Sequence, residues 1–321
     1  MTEKKLVVDT HTHIFCWGEN PKEGFLSERT RRSLVTRMIM RLMRIHSEPG
    51  NTLSQKLRNR LLRHVESSSL DYVVVLAQDA VYRADGSCNE MATPLYVSND
   101  YVLELAKESR AILPGCSINP VRTDAIEELE RCYAAGCRLI KIHTSIQGVD
   151  PALPQFDPCY RRARDLGGVL MFHMGYEHSC KVVSQKYSDP RRLERVLDHG
   201  GVVISAHCGT CAFYDPEDYY PHFIEMMRRH DNLYGDTAVM ASLIRWNALR
   251  RLSHEDQTLK NRILHGSDYP IPPSRLPYLF RTGLFPPERK NALDMDLLVK
   301  RSFQFSPGYE HRILELMGVS P

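Results

Sequence analysis

The sequence lacks the features that mark secreted and membrane proteins. No stretch approaches the roughly 18 consecutive apolar residues of a membrane-spanning helix, and the apolar run near the N-terminus is too short for a signal-peptide core. The nine cysteines include one Cys-x-x-Cys pair, Cys208 and Cys211, with neither a second pair nor histidines at zinc-finger spacing. We therefore expect a cytoplasmic protein whose cysteines are reduced and packed rather than paired in disulfides.

The charge balance excludes a uniformly basic or acidic protein. Against 42 lysines and arginines stand 39 acidic residues in a chain of 321, a net charge of +3. Residues 29–64 hold ten of the basic residues and a single acid, Glu48. The rest of the chain has 32 basic and 38 acidic residues, a net charge of −6. The sequence thus predicts a mildly acidic body that carries one basic segment.

Apolar, strand-like runs alternate with amphipathic helical stretches along the chain. The last five runs begin 29 to 33 residues apart, close to the roughly 30 residues of a strand-plus-helix unit. Near-continuous apolar runs are typical of parallel strands covered by helices. The eight runs are 6–15, 72–78, 111–119, 138–145, 168–175, 201–208, 232–238 and 261–268. This pattern predicts an α/β protein, a (β/α)₈ TIM barrel that spans 1–321 as one domain.

The competing fold is a doubly wound open sheet, which would need a glycine-rich loop after its first strand. The sequence there is HTHIFCWG, without that fingerprint. Instead, a basic helical insertion at 25–70 follows the first strand, with helices expected at 25–46 and 53–70. Other helices are expected at 124–136, 190–200 and 217–230, where glycines mark several helix ends.

The ends of the predicted strands carry histidines and an aspartate. His11 and His13 end the first strand and share a face, so their imidazoles can chelate one metal ion. His173 ends the fifth strand, His207 the sixth, and Asp268 the eighth. The carboxyl ends of all barrel strands meet at one mouth, which predicts that these groups converge. The remaining histidines are expected at the surface or at helix caps: His46, His64, His178, His199, His222, His230, His254 and His311.

Four further polar residues lie beside these strand ends. Lys141 and His143 share one face of the fourth strand, and we expect His143 to bind substrate or a second metal, or to support a ligand, with a hydrogen-bonded rim residue as the alternative. Asp9 has the same parity as the two histidines of the first strand, and Asp236 ends the seventh strand. We expect both carboxylates to orient a ligand histidine, although a cap or turn role is the alternative for Asp236.

These motifs resemble the amidohydrolase superfamily, in the amidohydrolase-related branch that includes decarboxylases similar to aminocarboxymuconate-semialdehyde decarboxylase. The resemblance covers nearly the whole barrel but not the basic insertion. It is carried by DTHTH (9–13), KIHTSIQGVDPALPQFDP (141–158), LMFHMG (170–175), ISAHCG (204–209), LYGDTA (233–238), ILHGSDYP (263–270) and NALDMDLLVKR (291–301).

The resemblance implies a role for each matching residue. His11, His13, His173 and Asp268 would bind one divalent metal ion, while His207 and Asp268 would be the catalytic acid–base and charge-stabilising groups. In binuclear members a strand-four lysine is carboxylated and bridges two metals. Lys141 occupies that strand, and His173 and His207 would then hold the second ion. The branch is mostly mononuclear, which favours one ion and leaves Lys141 as a cation that binds a substrate carboxylate or orients an aspartate or histidine.

Two reactions fit such a site. The first is hydrolysis of an amide, lactone or ester bond in a small, carboxylate-bearing molecule by a metal-activated water. The alternative is non-oxidative decarboxylation of a small carboxylic acid, in which Asp268 or His207 manages the proton that replaces CO₂. Histidine and aspartate ligands suit Zn²⁺, Mn²⁺ and Fe²⁺ alike, and zinc is the metal we expect.

The basic insertion leaves a third hypothesis, a non-catalytic barrel that binds nucleic acid or a membrane surface through 29–64. No expected ligand is missing, which favours the enzyme. Apolar residues among the arginines predict instead that 25–70 caps the barrel mouth or forms the interface of a homo-oligomer. Some of its arginines would then meet an anionic substrate.

Overall fold

Eight parallel strands form a nearly closed barrel in the computed structural model, which describes residues 5–319. In their order around the barrel, the strands are β1 (Val8–His13), β3 (Tyr72–Leu76), β5 (Ile112–Ser117), β6 (Leu139–Ile142), β7 (Val169–His173), β8 (Val203–Ala206), β9 (Leu233–Asp236) and β10 (Ile263–Leu264). Two short strands, β2 (Gly24–Leu26) and β4 (Leu95–Val97), pair antiparallel outside the barrel. The (β/α)₈ expectation and all eight predicted strands are confirmed.

The first and last strands are joined by backbone hydrogen bonds. The Thr10 amide donates to the His265 carbonyl oxygen at 2.9 Å, and the Asp268 amide donates to the His11 carbonyl oxygen at 2.8 Å. These bonds close the barrel beside the strand ends that carry the candidate ligands. The end of β1 is therefore held directly against the segment that follows β10.

Helices cover the outside of the barrel. They are α1 (Glu28–Arg32), α2 (Leu34–Leu42), α3 (Leu53–Glu66), α4 (Asn99–Glu108), α5 (Ala125–Ala134), α6 (Thr144–Gln147), α7 (Asp157–Asp165), α8 (Glu194–Asp198), α9 (Tyr220–Arg229), α10 (Trp246–Ser253), α11 (Gln257–Lys260), α12 (Leu276–Thr282), α13 (Ala292–Arg301) and α14 (Arg312–Leu316). Within the described chain, none is both long and apolar enough to cross a bilayer.

The apolar interior of the barrel lies below the polar strand ends. One buried cluster combines side chains from six barrel strands with three from the C-terminal segment: Val8, Val74, Leu76, Leu139, Val169, Met171, Ile204, Ala206, Leu264, Ile313, Leu314 and Met317. Because these apolar side chains fill the barrel interior, a polar site can form only at the carboxyl ends of the strands.

The insertion after β1 differs from the single helix expected at 25–46. Residues 24–26 form strand β2, and two short helices follow because serines cap each of them. Ser27 accepts a hydrogen bond from the Thr30 amide, and Ser33 accepts one from the Thr36 amide at 3.1 Å. A serine that caps a new helix ends the preceding one. The second predicted helix, 53–70, is shorter as α3 and begins with a capping box at Thr52.

The insertion packs on the barrel through apolar side chains. Leu57, Leu61 and Val65 of α3 share a buried cluster with Val73 and Val75 of β3. The expectation of a surface or helix-cap position is wrong for His64, which is 4% exposed and packs against Tyr269 with ring centres 5.5 Å apart. α3 thus contacts the segment that follows β10.

Candidate active site

Three of the predicted ligands converge at the barrel mouth. His11 Nε2 and His13 Nε2 lie 3.1 Å apart, and Asp268 Oδ1 lies 3.5 Å from the first and 3.4 Å from the second. Ligands held tetrahedrally at about 2.0–2.1 Å from zinc are separated from one another by about 3.3 Å. The three atoms therefore have the spacing of a metal-binding face.

The electrostatics of Asp268 suit a metal ligand. Burial would raise the pKa of its carboxyl, but the hydrogen bond from His13 and the neighbouring histidines hold that pKa well below its ordinary value. The residue has a φ of +63°, in the left-handed region that is unfavourable for side chains other than glycine and concentrates at functional sites. Asp268 is thus an ionised carboxylate on a constrained backbone.

Asp236 contacts the ring of His11. Its Oδ2 lies 2.7 Å from His11 Nδ1. Because a carboxylate only accepts, Nδ1 carries the proton and Nε2 presents its lone pair to the other ligands. The second oxygen, Oδ1, accepts from the His207 amide at 2.8 Å. One buried carboxylate therefore positions candidate residues from two strands.

His207 reaches the mouth because the backbone turns at the end of β8. Strict alternation after the inward-facing Ala206 would direct residue 207 away from the barrel interior. The φ angles of His207 (+64°) and Cys208 (+53°) break that alternation. His207 Nδ1 lies 3.2 Å from the Ala238 carbonyl oxygen, which can only accept, so Nε2 is the lone-pair nitrogen. Burial lowers the pKa of His207 to about 4, which keeps the ring neutral.

His173 pairs with His207 rather than with the first three ligands. His173 Nδ1 lies 3.1 Å from His207 Nε2. Within the described chain, three groups of three side chains could each hold a metal ion: His11, His13 and Asp268; His11, His207 and Asp236; and His143, His173 and Glu177. The structure therefore brings three of the four ligands implied for one ion together, and His207 lies between the fourth, His173, and His11, with its ring centre 5.0 Å from that of His11 and 4.7 Å from that of His173.

A partly buried carboxylate faces the other side of His173. Glu177 Oε2 lies 3.1 Å from His143 Nε2 and 3.8 Å from His173 Nε2, and the two rings stack with centres 3.9 Å apart. His173 Nε2 is buried and has no hydrogen-bond partner among residues 5–319. A proton on that nitrogen would face Glu177 favourably. In that state the Nδ1 lone pair faces the lone pair of His207, an arrangement that a cation stabilises.

Lys141 is fully buried beside the first ligands. Its Nζ lies 3.3 Å from His11 Nε2. Burial lowers the pKa of Lys141 to about 8, partly opposed by Asp236, Asp268 and Glu177. Lys141 is therefore mainly a cation at pH 7, with roughly a tenth of the amine neutral.

The expectation for Asp9 is wrong in its geometry. The register of β1 shifts between Asp9 and Thr12, so Asp9 is opposite Val73, which packs outside the barrel, whereas His13 is opposite Leu76 inside it. Asp9 binds no imidazole. Its Oδ1 accepts from the amides of His11, at 3.0 Å, and Ser267, at 2.9 Å. It joins the backbones of the two ligand-bearing segments.

Sequence reasoning missed Arg245. This residue lies in the loop between β9 and α10 and is 6% exposed. Its Nη2 donates to the Tyr176 carbonyl oxygen, and Nη1 lies close to Gly175, just beyond β7. No motif marks this arginine in the sequence. Only the fold brings its loop beside the one that follows His173.

Comparison with known proteins gives a family and a fold. A family model described as amidohydrolase matches residues 8–293. An uncharacterised TIM-barrel protein from Bordetella bronchiseptica is 17% identical, with a TM-score of 0.64 over 98% of this chain and 100% of that one. No protein of curated function matches the sequence.

Two further solved structures share the fold at lower identity. A putative 2-pyrone-4,6-dicarboxylic acid hydrolase from Pseudomonas putida is 13% identical, with a TM-score of 0.59 over 98% of each chain. A 5-carboxyvanillate decarboxylase from Novosphingobium aromaticivorans, complexed with manganese, is 12% identical, with a TM-score of 0.54 over 98% of this chain and 96% of that one.

Proposed function

Because the chain belongs to the amidohydrolase family, we propose that it is a metal-dependent hydrolase that cleaves an amide, lactone or ester bond of a small, carboxylate-bearing molecule. The observation that carries the proposal is the convergence of His11, His13 and Asp268 within 3.5 Å of one another at the barrel mouth. A divalent ion bound there would act as a Lewis acid and lower the pKa of a water molecule toward about 7.

The residues around that face have complementary roles. Asp268 is ionised, so it can bind the ion and accept a proton from the attacking water. His207 is neutral at pH 7, and its uncharged ring can stabilise the developing negative charge only after gaining a proton or turning its N–H toward the substrate. Asp236 holds His11 in the tautomer that binds metal.

We propose zinc as the metal, with His11, His13 and Asp268 as its first ligands and His173 as the fourth. Zinc, manganese and iron share these ligand types, and the 5-carboxyvanillate decarboxylase of similar fold holds manganese. If two ions bind, His173 and His207 would hold the second, and a carboxylated Lys141 would bridge them. Metal counting per chain, with a mass increase for the carboxylated lysine, distinguishes the two arrangements.

Turnover assays test the reaction itself. The metal-loaded protein should release acid from lactone, ester or amide substrates that carry a second carboxylate. The same samples should be monitored for CO₂ from carboxylated aromatic acids, the reaction of the alternative decarboxylase. Release of CO₂ without hydrolysis would replace the proposed reaction by the alternative.

The basic insertion is proposed as an oligomer interface rather than a nucleic-acid surface. Leu34, Met38 and Leu42 lie one turn apart on α2 and are 79%, 53% and 57% exposed. Two arginines of the segment, Arg60 and Arg63, already pair with Glu48. Light scattering should show a homo-oligomer that Leu42→Glu weakens. Salt-sensitive binding to DNA or RNA would favour the nucleic-acid hypothesis instead.

The state of the cysteines supports a cytoplasmic location. All nine are free thiols, and five of them are buried among apolar side chains: Cys116, Cys132, Cys137, Cys159 and Cys208. Fluorescent tagging followed by fractionation tests this location. Recovery in a membrane or secreted fraction would refute it.

A further inference from the structure

Arg245 lies where three loops of the catalytic face meet. Its own loop follows β9, Gly175 follows β7, and Thr210 follows β8. Gly175 has a φ of +97°, and a side chain there would lie 2.7 Å from the Thr210 carbonyl oxygen and 3.5 Å from Arg245 Nη1. The guanidinium is therefore enclosed by the loops that bear His173 and His207.

The guanidinium is held in place on one side only. Nη2 donates to the Tyr176 carbonyl oxygen, which fixes the plane of the group. Nη1 is buried and has no hydrogen-bond partner among residues 5–319. Nη2 is thus anchored, while the N–H groups of Nη1 remain able to donate hydrogen bonds.

Arg245 also has no carboxylate partner in the described part of the chain. Two partly buried arginines do have one: Arg122 pairs with Asp79 at 3.2 Å, and Arg60 pairs with Glu48 at 2.7 Å. An unpaired buried charge is costly, so proteins retain it where an anion compensates it. A neutral structural anchor for Tyr176 would not require a cation.

The charge of Arg245 reaches the candidate ligands. Burial is the main reason that the pKa values of His173 and His207 are lowered, and Arg245 and Lys141 both add to that effect. Both cations are buried, with Lys141 0% and Arg245 6% exposed. A carboxylate bound at Arg245 Nη1 would compensate a charge that no carboxylate of residues 5–319 pairs with.

From this geometry we infer that Arg245 is a specificity residue that binds a carboxylate of the substrate through its free Nη1, while the reacting group lies at the His11, His13 and Asp268 face. This rests on the proposed function. A planar guanidinium can give a carboxylate two parallel hydrogen bonds, which lysine cannot. Substrates would then carry one carboxylate besides the bond or group that reacts.

Ligand binding without turnover tests the inference. Zinc-loaded protein is titrated calorimetrically with benzene-1,3-dicarboxylate and with 3-carbamoylbenzoate, which differ by one charge. The wild type should bind the dicarboxylate about 10- to 100-fold more tightly, the range of a hydrogen bond to a charged partner. Arg245→Gln should bind both equally. Equal binding of both probes by the wild type, or an unchanged preference in the variant, overturns the inference.

A matched control and a second measurement complete the test. Arg250→Gln removes the same charge from an exposed position on α10 and should keep the preference. If Arg245→Gln does not fold, a crystal structure of the wild type with the dicarboxylate tests the inference instead. A carboxylate within about 3.2 Å of Nη1 supports the inference, and carboxylates bound only elsewhere overturn it.

The titration separates this inference from the proposed function. Loss of the preference in Arg245→Gln, in a protein that turns over neither lactones nor carboxylated acids, would leave the carboxylate subsite standing and refute the enzyme assignment. Hydrolysis by a wild-type protein that shows no preference for the dicarboxylate would support the proposed function and refute the carboxylate subsite at Arg245.

Discussion

Replacing Asp236 by asparagine tests whether a buried carboxylate prepares His11 for metal binding. The variant keeps the shape of the side chain. Its Oδ1 can still accept from the His207 amide, 2.8 Å away in the wild type, and from the Ala238 amide, 3.1 Å away. Its Nδ2 would face His11 Nδ1, which now lies 2.7 Å from a carboxylate oxygen. An amide nitrogen donates, so the proton of His11 would move to Nε2, the nitrogen that faces the other ligands.

The expected effect falls mainly on metal affinity. Changing the partner that orients a ligand histidine costs about 10- to 100-fold in affinity, equivalent to about 1.4–2.7 kcal/mol. The loss of stability should be smaller, about 1 kcal/mol, because the backbone hydrogen bonds remain. Metal affinity is measured by competition with a chromophoric chelator, and stability by urea unfolding of the metal-free protein.

Asp9→Asn is the matched control. Asp9 is equally buried but binds the His11 and Ser267 amides and the Thr12 hydroxyl, not an imidazole. Its asparagine variant should lose stability and keep zinc affinity within about twofold of the wild type, because the tautomer of His11 stays the same. Equal zinc affinity in Asp236→Asn and wild type would refute the tautomer argument. Equal losses in both variants would show that the backbone, not the ring, controls binding.

Three other substitutions test separate parts of the structure. Replacing His11 and His13 by alanine should abolish both bound metal and turnover; metal that persists, measured by elemental analysis, would refute the ligand assignment. Burial lowers the pKa of His64 to about 4, so the unfolded protein takes up a proton at this residue at a higher pH than the folded protein does. As the pH falls from 6.5 to 4, the free energy of unfolding should therefore decrease by up to about 3 kcal/mol because of His64. His64→Phe should reduce that loss in urea unfolding, and an unchanged pH dependence would contradict it. Gly175→Ala should lower the melting temperature more than Gly283→Ala does, because both have positive φ but only the first meets a carbonyl oxygen, at 2.7 Å. Equal shifts in melting temperature would mean that the positive φ alone causes the destabilisation, about 1–2 kcal/mol at each position, and that the contact with the carbonyl oxygen adds nothing.

The periodicity of the sequence was sufficient to predict the barrel and its strand ends. Apolar runs about 30 residues apart leave few other ways to bury both faces of a sheet. Local irregularities of the backbone and the ends of helices were harder to predict. Parity placed Asp9 beside His11, but an irregularity in β1 reverses its face. Ser27 and Ser33 divide a helix that hydrophobic spacing alone would have continued.

Contacts between residues of different loops could not be predicted from the sequence for a different reason. Arg245 is nine residues beyond the end of β9 and has no fixed spacing to any histidine. Its place beside Tyr176 depends on how the loops after β7 and β9 fold against each other. Positive φ angles at His207 and Asp268 likewise follow from tertiary contacts, since neither residue type requires them.

Two buried carboxylates explain why the candidate ligands keep their positions despite these irregular backbones. Asp9 joins the amides of His11 and Ser267, which brings the ends of β1 and β10 together. Asp236 joins the ring of His11 to the amide of His207, which ties β1 and β8 to β9. In the described part of the chain, the hydrogen-bond partners of both carboxylates lie outside the basic insertion. Changes in 25–70 should therefore alter assembly or substrate access while the metal-binding face stays intact.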